Sequence, residues 1–168
     1  MRPPKDDYYL EIAKSVSKRS TCSRRRYGTI VVKSDAIIST GYNGAARKVK
    51  DCLEWGECLK DKVGAPSGSG YDYCQAVHAE ENTIINAARN GTSVLGGIMY
   101  IYGENYEDGS IAEAKPCDRC RRAIINAGIV SVVTRKPDGS IGRHDVYDWV
   151  REDTKYYGER LRSAKSQR

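Results

Sequence analysis

Two short clusters carry residues that could do chemistry together: His78-Ala79-Glu80 and, further on, Pro116-Cys117-Asp118-Arg119-Cys120. One imidazole and two thiolates make three zinc ligands and leave a fourth tetrahedral position open for water, the arrangement of a catalytic metal centre. Glu80 stands outside that ligand set and is free to move protons. Cys117 and Cys120 are three apart and share a face of one helix. In the first helical turn, free amides and the positive end of the dipole favour thiolates. Pro116 suits the first helical position, where it adds no unpaired amide. His78 and Glu80 are only two apart, so helical periodicity does not explain how both reach one ion.

The elements that must position these residues can be read along the chain. Tyr9, Ile12, Ala13 and Val16 predict one apolar helix face, opened by Asp6 or Asp7 as a cap. Residues 18–28 are polar and basic and read as a loop. Thr29 to Val32 and Ala36 to Thr40 flank Ser34-Asp35 and predict a β-hairpin. Residues 41–73 form a long irregular region of the kind that is functional or tied down by something. Residues 78–90 predict a helix with Gly91 beyond its end. A buried strand is expected over 97–102, a helix over 116–127 and a strand over 129–134. Val146, Trp149, Val150, Tyr157 and Leu161 fall on one helical stripe after Asp145, a cap; that helix covers the sheet or docks on another subunit. Helices alternating with strands after a hairpin imply an α/β fold with a mixed sheet, in one domain spanning 1–168 with a basic, frayed tail.

Hydrophobic residues make up 39% of the chain and charged residues 30%, as in an ordinary globular protein and unlike a disordered one. No apolar run approaches the roughly 20 residues of a membrane span, and the N-terminus has no signal-peptide core, so the expected location is cytoplasmic. The net charge of +6 suits a phosphate-bearing small molecule as well as a nucleic acid. In that setting six cysteines point to metal binding rather than disulfides.

The combined His-x-Glu and Pro-Cys-x-x-Cys pattern is that of zinc-dependent base deaminases. In that chemistry zinc-activated hydroxide attacks an amidine-like carbon such as cytosine C4, and the glutamate delivers protons to the ring nitrogen and the departing ammonia. Arg19-Ser20-Thr21-Cys22-Ser23-Arg24, Ile38-Ser39-Thr40-Gly41-Tyr42-Asn43-Gly44, His78-Ala79-Glu80-Glu81-Asn82-Thr83-Ile84 and Pro116-Cys117-Asp118-Arg119-Cys120 occur in this order. Together they make the chain resemble the deoxycytidylate (dCMP) deaminases of bacterial and phage type, within the zinc-dependent cytidine deaminase superfamily. The resemblance runs from about Tyr9 to Val133. It implies a three-layer α/β/α sandwich with a central sheet of about five strands, and hydrolysis of dCMP to dUMP and ammonia, which supplies the precursor of dTMP. It also implies a homo-oligomer, hexamer or dimer, and dCTP and dTTP as effectors.

By the same resemblance His78, Cys117 and Cys120 hold zinc, Glu80 is the general acid and base, and Asn43, Arg24, Arg26 and Ala79 contact substrate. Asn43 is expected at the sugar, or is a turn residue only; among Arg24, Arg25 and Arg26 one meets the phosphate, or the run is a solvated loop. Cys22, Cys52, Cys58 and Cys74 make a second, structural zinc site or remain four reduced thiols. Two departures from the family pattern bear on specificity. Residues 103–115 are inserted before Pro116, and Tyr27-Gly28-Thr29 replaces the usual Val-Gly-Ala. They leave dCTP or a modified dCMP as alternative substrates. A nucleic-acid base deaminase such as a tRNA editor, and a zinc module that binds nucleotides without catalysis, are the competing classes.

Overall fold

The computed structural model describes residues 1–66 and 69–165. Helix α1 (Lys5–Ser17) precedes strands β1 (Arg25–Lys33) and β2 (Ala36–Tyr42), which form the expected hairpin. Ser34 and Asp35 both take positive φ, 50° and 63°, the backbone that lets a two-residue turn match strand twist. Short strands β3 (Gly44–Ala45) and β4 (Ala76–Val77) pair across the long loop, which also holds the single-turn helices α2 (Cys52–Trp55) and α3 (Leu59–Lys62). Helix α4 (Ala79–Arg89), strand β5 (Ile98–Asn105), helix α5 (Asp118–Asn126), strands β6 (Ser131–Arg135) and β7 (Ile141–Asp145) and helix α6 (Val146–Lys165) complete the chain.

The main sheet has five strands in the order β2-β1-β5-β6-β7; β5 and β6 are parallel and the other neighbours antiparallel. One face packs Tyr9, Leu10 and Ala13 of α1 against Ile30, Val32, Tyr100, Tyr102 and Val133. The other packs Ala87 of α4, Ile124 of α5 and Trp149 of α6 against Val31, Met99, Ile101 and Val132. Side chains alternate between faces along each strand, so β1, β5 and β6 serve both cores. Among the described residues no helix is long and apolar enough to cross a membrane.

Several expectations shift in detail. Pro4, not an aspartate, caps α1, and the buried stripe is Tyr9, Leu10, Ala13 and Ser17; Asp6 and Asp7 instead pair with Arg143 and Arg135 of the sheet. The basic stretch expected as a loop to residue 28 becomes strand from Arg25, because the insertion lengthens β5 and pairs Arg25 to Tyr27 with Gly103 to Asn105. The chain then turns at Gly109 and returns along β5, where Ile111 bridges Glu104. The sequence offers no pattern for β7, because Gly142, Arg143 and His144 give it little apolar signal. Asp145 accepts from the Tyr147 amide at 2.8 Å, as a cap does. Only the start of α6 covers the core: Val146 and Trp149 are buried, whereas Tyr157 and Leu161 stand exposed. The basic tail stays helical to Lys165, and its last residues, 166–168, lie outside the described ones.

Helix α4 is docked by hydrogen bonds more than by apolar contact. Asn82 Nδ2 donates to the Tyr42 carbonyl at 2.7 Å, Asn86 Nδ2 to that of Thr40 at 2.8 Å, and Ser39 Oγ to that of Thr83 at 2.7 Å. The backbones come so close that a Cβ on Gly41 would lie 2.4 Å from the Thr83 nitrogen and 2.7 Å from the Ala79 carbonyl oxygen. Gly41→Ala is therefore expected to push α4 off β2 and to cost about 1–3 kcal/mol of stability, measurable by urea unfolding.

Candidate active site

His78 and Cys117 are both helix N-caps, of α4 and α5, with extended backbone (φ −71°, ψ 155° and φ −69°, ψ 166°). An N-cap lies outside the helical repeat, which explains how His78 can share a target with Glu80 two residues on. Cys117 thus precedes the first turn it was expected to occupy, and Pro116 lies one residue further out. Cys120, in the first turn of α5, is fully buried. The two helix starts are held together by Glu81, which accepts from the His78 amide at 3.4 Å and pairs with Arg119 of α5 at 2.7 Å.

His78 Nδ1 lies 3.5 Å from Cys117 Sγ and 3.3 Å from Cys120 Sγ, and the three donor atoms all fall within 4.8 Å of one another. With Zn–S of about 2.3 Å and Zn–N of about 2.0 Å, a tetrahedral zinc sets its ligands about 3.5 Å apart. The triad fits zinc, through Nδ1 of the histidine. The hydrogen bond from the Cys120 thiol proton draws the Cys117 pKa down, and the same contact, with burial, pushes Cys120 up. A divalent cation replaces that proton and ionises both sulfurs.

Glu80 is buried beside Cys120, and desolvation raises its carboxyl pKa above the usual range, as suits a group that both takes and gives protons. A cation in the triad pulls the other way, toward the carboxylate. Tyr71 tilts over the imidazole, with ring centres 5.8 Å apart, and its hydroxyl meets Cys117. A cavity of about 320 Å³ opens over these groups, with Asn43, Tyr27, Arg24, Arg25, Lys60 and Lys115 among its walls. That is the size of a small-molecule site.

The other expected site residues fare differently. Asn43 faces the cavity, but Oδ1 accepts from Ser20 Oγ at 2.7 Å and the Tyr27 amide at 2.8 Å, while Nδ2 donates to the Arg25 carbonyl at 2.9 Å. It locks the loop and keeps one amide hydrogen to spare. Ala79 is wholly buried in the wall, its carbonyl accepting from Thr29 and Thr83 hydroxyls at 2.9 Å each. Arg24 lines the cavity, yet its charge is taken by Asp61 at 3.1 Å. Arg26 is not among the lining residues: strand alternation turns it to the other face, against Glu104 at 3.5 Å and the ring of Tyr106 at 4.4 Å.

Cys22, Cys52, Cys58 and Cys74 all face the same cavity, and the other three sulfurs act electrostatically on Cys52. They are not drawn into a closed cluster: among the described residues the His78 triad is the one group placed to share an ion. Sequence reasoning missed Lys60 and Tyr71 as lining residues, and reached Tyr27, Glu113 and Lys115 only as parts of the two departures that bear on specificity. All but Tyr27 lie in the irregular region or the insertion, where no periodicity marks a side chain's direction.

Comparison with known proteins agrees with this geometry. The model of the cytidine and deoxycytidylate deaminase zinc-binding region matches residues 3–136. The deoxycytidylate deaminase of Mycobacterium phage D29 is 34% identical over 140 residues, which cover 80% of this chain and 97% of the phage protein. The deoxycytidylate deaminase of Schizosaccharomyces pombe (strain 972 / ATCC 24843) is also 34% identical, over 79% of this chain, but the match spans only 37% of that longer relative. The apo crystal structure of dCMP deaminase from cyanophage S-TIM5 superposes with a TM-score of 0.58 at 25% identity, covering 80% of this chain and 85% of that one. With its mixed five-stranded sheet, its His-Cys-Cys triad and a family match over most of its length, the chain belongs to the cytidine and deoxycytidylate deaminase zinc-binding family.

Proposed function

We propose that this chain hydrolyses dCMP to dUMP and ammonia. The observation that carries the reading is the buried Glu80 carboxyl set beside a zinc-fitting triad at the floor of one nucleotide-sized cavity. Similarity to the phage D29 deoxycytidylate deaminase over nearly all of that protein supports the choice of nucleotide. His78, Cys117 and Cys120 would hold a zinc ion, which when bound would supply the Lewis acidity for hydroxide chemistry near neutral pH. Glu80 accepts a proton from the attacking water and passes it to the pyrimidine ring nitrogen; it then takes the proton of the new C4 hydroxyl and gives it to the exocyclic amine, so that the C4 carbonyl forms as the C4–N bond breaks and ammonia leaves. The spare amide hydrogen of Asn43 is the group on offer to the sugar. Exclusion of bulk water by the buried floor strengthens each of these contacts.

The finer metal count belongs to the same proposal. Four thiols around one cavity can close on a structural ion once a cation offsets their mutual repulsion, fastening the loop that carries α2 and α3. Assembly into a homo-oligomer and control by dCTP or dTTP are further parts of this reading, supported by the family resemblance.

A substrate panel tests the activity: ammonia release is expected from dCMP, and release from tRNA alone would overturn the reading in favour of a nucleic-acid deaminase. Glu80→Gln is expected to keep its zinc while turnover falls by roughly 10²–10⁴; elemental analysis beside steady-state kinetics checks both. Zinc content should be two ions per chain and fall to one in the double variant Cys52→Ser/Cys74→Ser. A single ion in the unaltered chain would leave the four cysteines as thiols.

A further inference from the structure

Helix α3 is built inside out. Leu59 is 55% exposed, whereas the adjacent Lys60 is 8% exposed and lines the cavity above His78 and Glu80. Lysine is almost never buried without a partner. Among the described residues Lys60 has neither ion pair nor side-chain hydrogen bond; its one contact of this kind is the Tyr71 ring, 5.6 Å from Nζ. The neighbouring acid, Asp61, is already taken by Arg24. Glu80 shares the cavity but makes no ion pair with it. The other cations of the lining, Arg25 and Lys115, are exposed at its mouth.

The lysine is held there by the backbone. Its carbonyl accepts from the Ala65 amide at 2.9 Å, and Gly70 closes the loop over its stem in the left-handed region (φ 62°), where an added Cβ would lie 2.9 Å from Ala65 Cβ and 3.9 Å from Lys60 Cε. The Tyr71 ring, 5.8 Å from the imidazole, spaces the ammonium away from the metal triad. With its stem buried and its three ammonium donors free of any anion among the described residues, Lys60 presents a positive charge inside the cavity to an anion that arrives with the ligand.

We infer that Lys60 receives the 5′-phosphate of the substrate and so sets the preference for a nucleotide over a nucleoside. This rests on the reading of the cavity as a cytosine nucleotide site. Lys60 is a binding residue here, with no part in the proton transfers. The phosphate is thereby assigned to the irregular loop instead of the Arg24-Arg25-Arg26 run.

The test uses zinc-loaded full-length chain and titration calorimetry with dUMP and with 2′-deoxyuridine. Lys60→Met keeps the apolar stem and removes the charge. It is expected to weaken dUMP binding about 10–100-fold, the worth of a charged hydrogen bond, and to leave deoxyuridine unchanged; Lys60→Arg should restore most of the dUMP affinity. In kinetics the same change should raise KM for dCMP with little effect on kcat. Unaltered dUMP affinity in Lys60→Met, or an equal loss for both ligands, overturns the inference. If the unaltered chain releases no ammonia from dCMP, the activity fails, while the dUMP comparison still decides the role of Lys60.

Discussion

The convergence of two helix starts is the constraint on which the rest of this structure depends. α4 and α5 begin side by side, and the residue at each start has extended backbone outside the helix. That geometry brings His78 Nδ1 within 3.5 Å of both cysteine sulfurs without strain in either helix. It also aims two positive dipole ends at the same point, which favours thiolates and a carboxylate there. Glu81 and Arg119 tie the two starts together. The polar seam between α4 and β2, with its close approach at Gly41, sets the depth at which Glu80 is buried.

The wall around that point comes from segments with little regular structure. The insertion before Pro116 is an extension of the sheet rather than a loose loop: it prolongs β5, recruits Arg25 to Tyr27 into β1, and returns to place Glu113 and Lys115 at the cavity. Tyr27 fastens it from the other side, donating its hydroxyl to the Glu113 carbonyl at 3.0 Å. Arg26 serves the same segment through Glu104 and Tyr106. The segment 103–115 is therefore structural at its base and reaches the site only at its end.

Charge is distributed unevenly around the cavity. Most basic side chains near it are paired or solvated, as surface cations usually are. Arg24 has Asp61, Arg26 has Glu104, and Arg119 has Glu81. Against that background Lys60, buried and unpaired among the described residues, stands apart in a wall that it shares with the buried Glu80.

The amino-acid sequence by itself determined the His-Cys-Cys cluster that fits a metal, the glutamate beside it, the hairpin and the helix–strand alternation. These are local signals: ligand types at short spacing, a Ser34-Asp35 turn, and runs of apolar residues with period two or near four. It did not reveal how His78 and Glu80 meet, since helical periodicity fails at an N-cap, nor the β7 strand, whose residues are polar. Only tertiary structure decided that Arg26 turns away from the cavity, that Asn43 spends most of its hydrogen bonds on the loop, and that Lys60 faces inward beside an exposed Leu59. Those outcomes depend on strand pairing and loop closure between residues far apart in the chain, and no local pattern encodes the direction of a side chain that lies on no repeat.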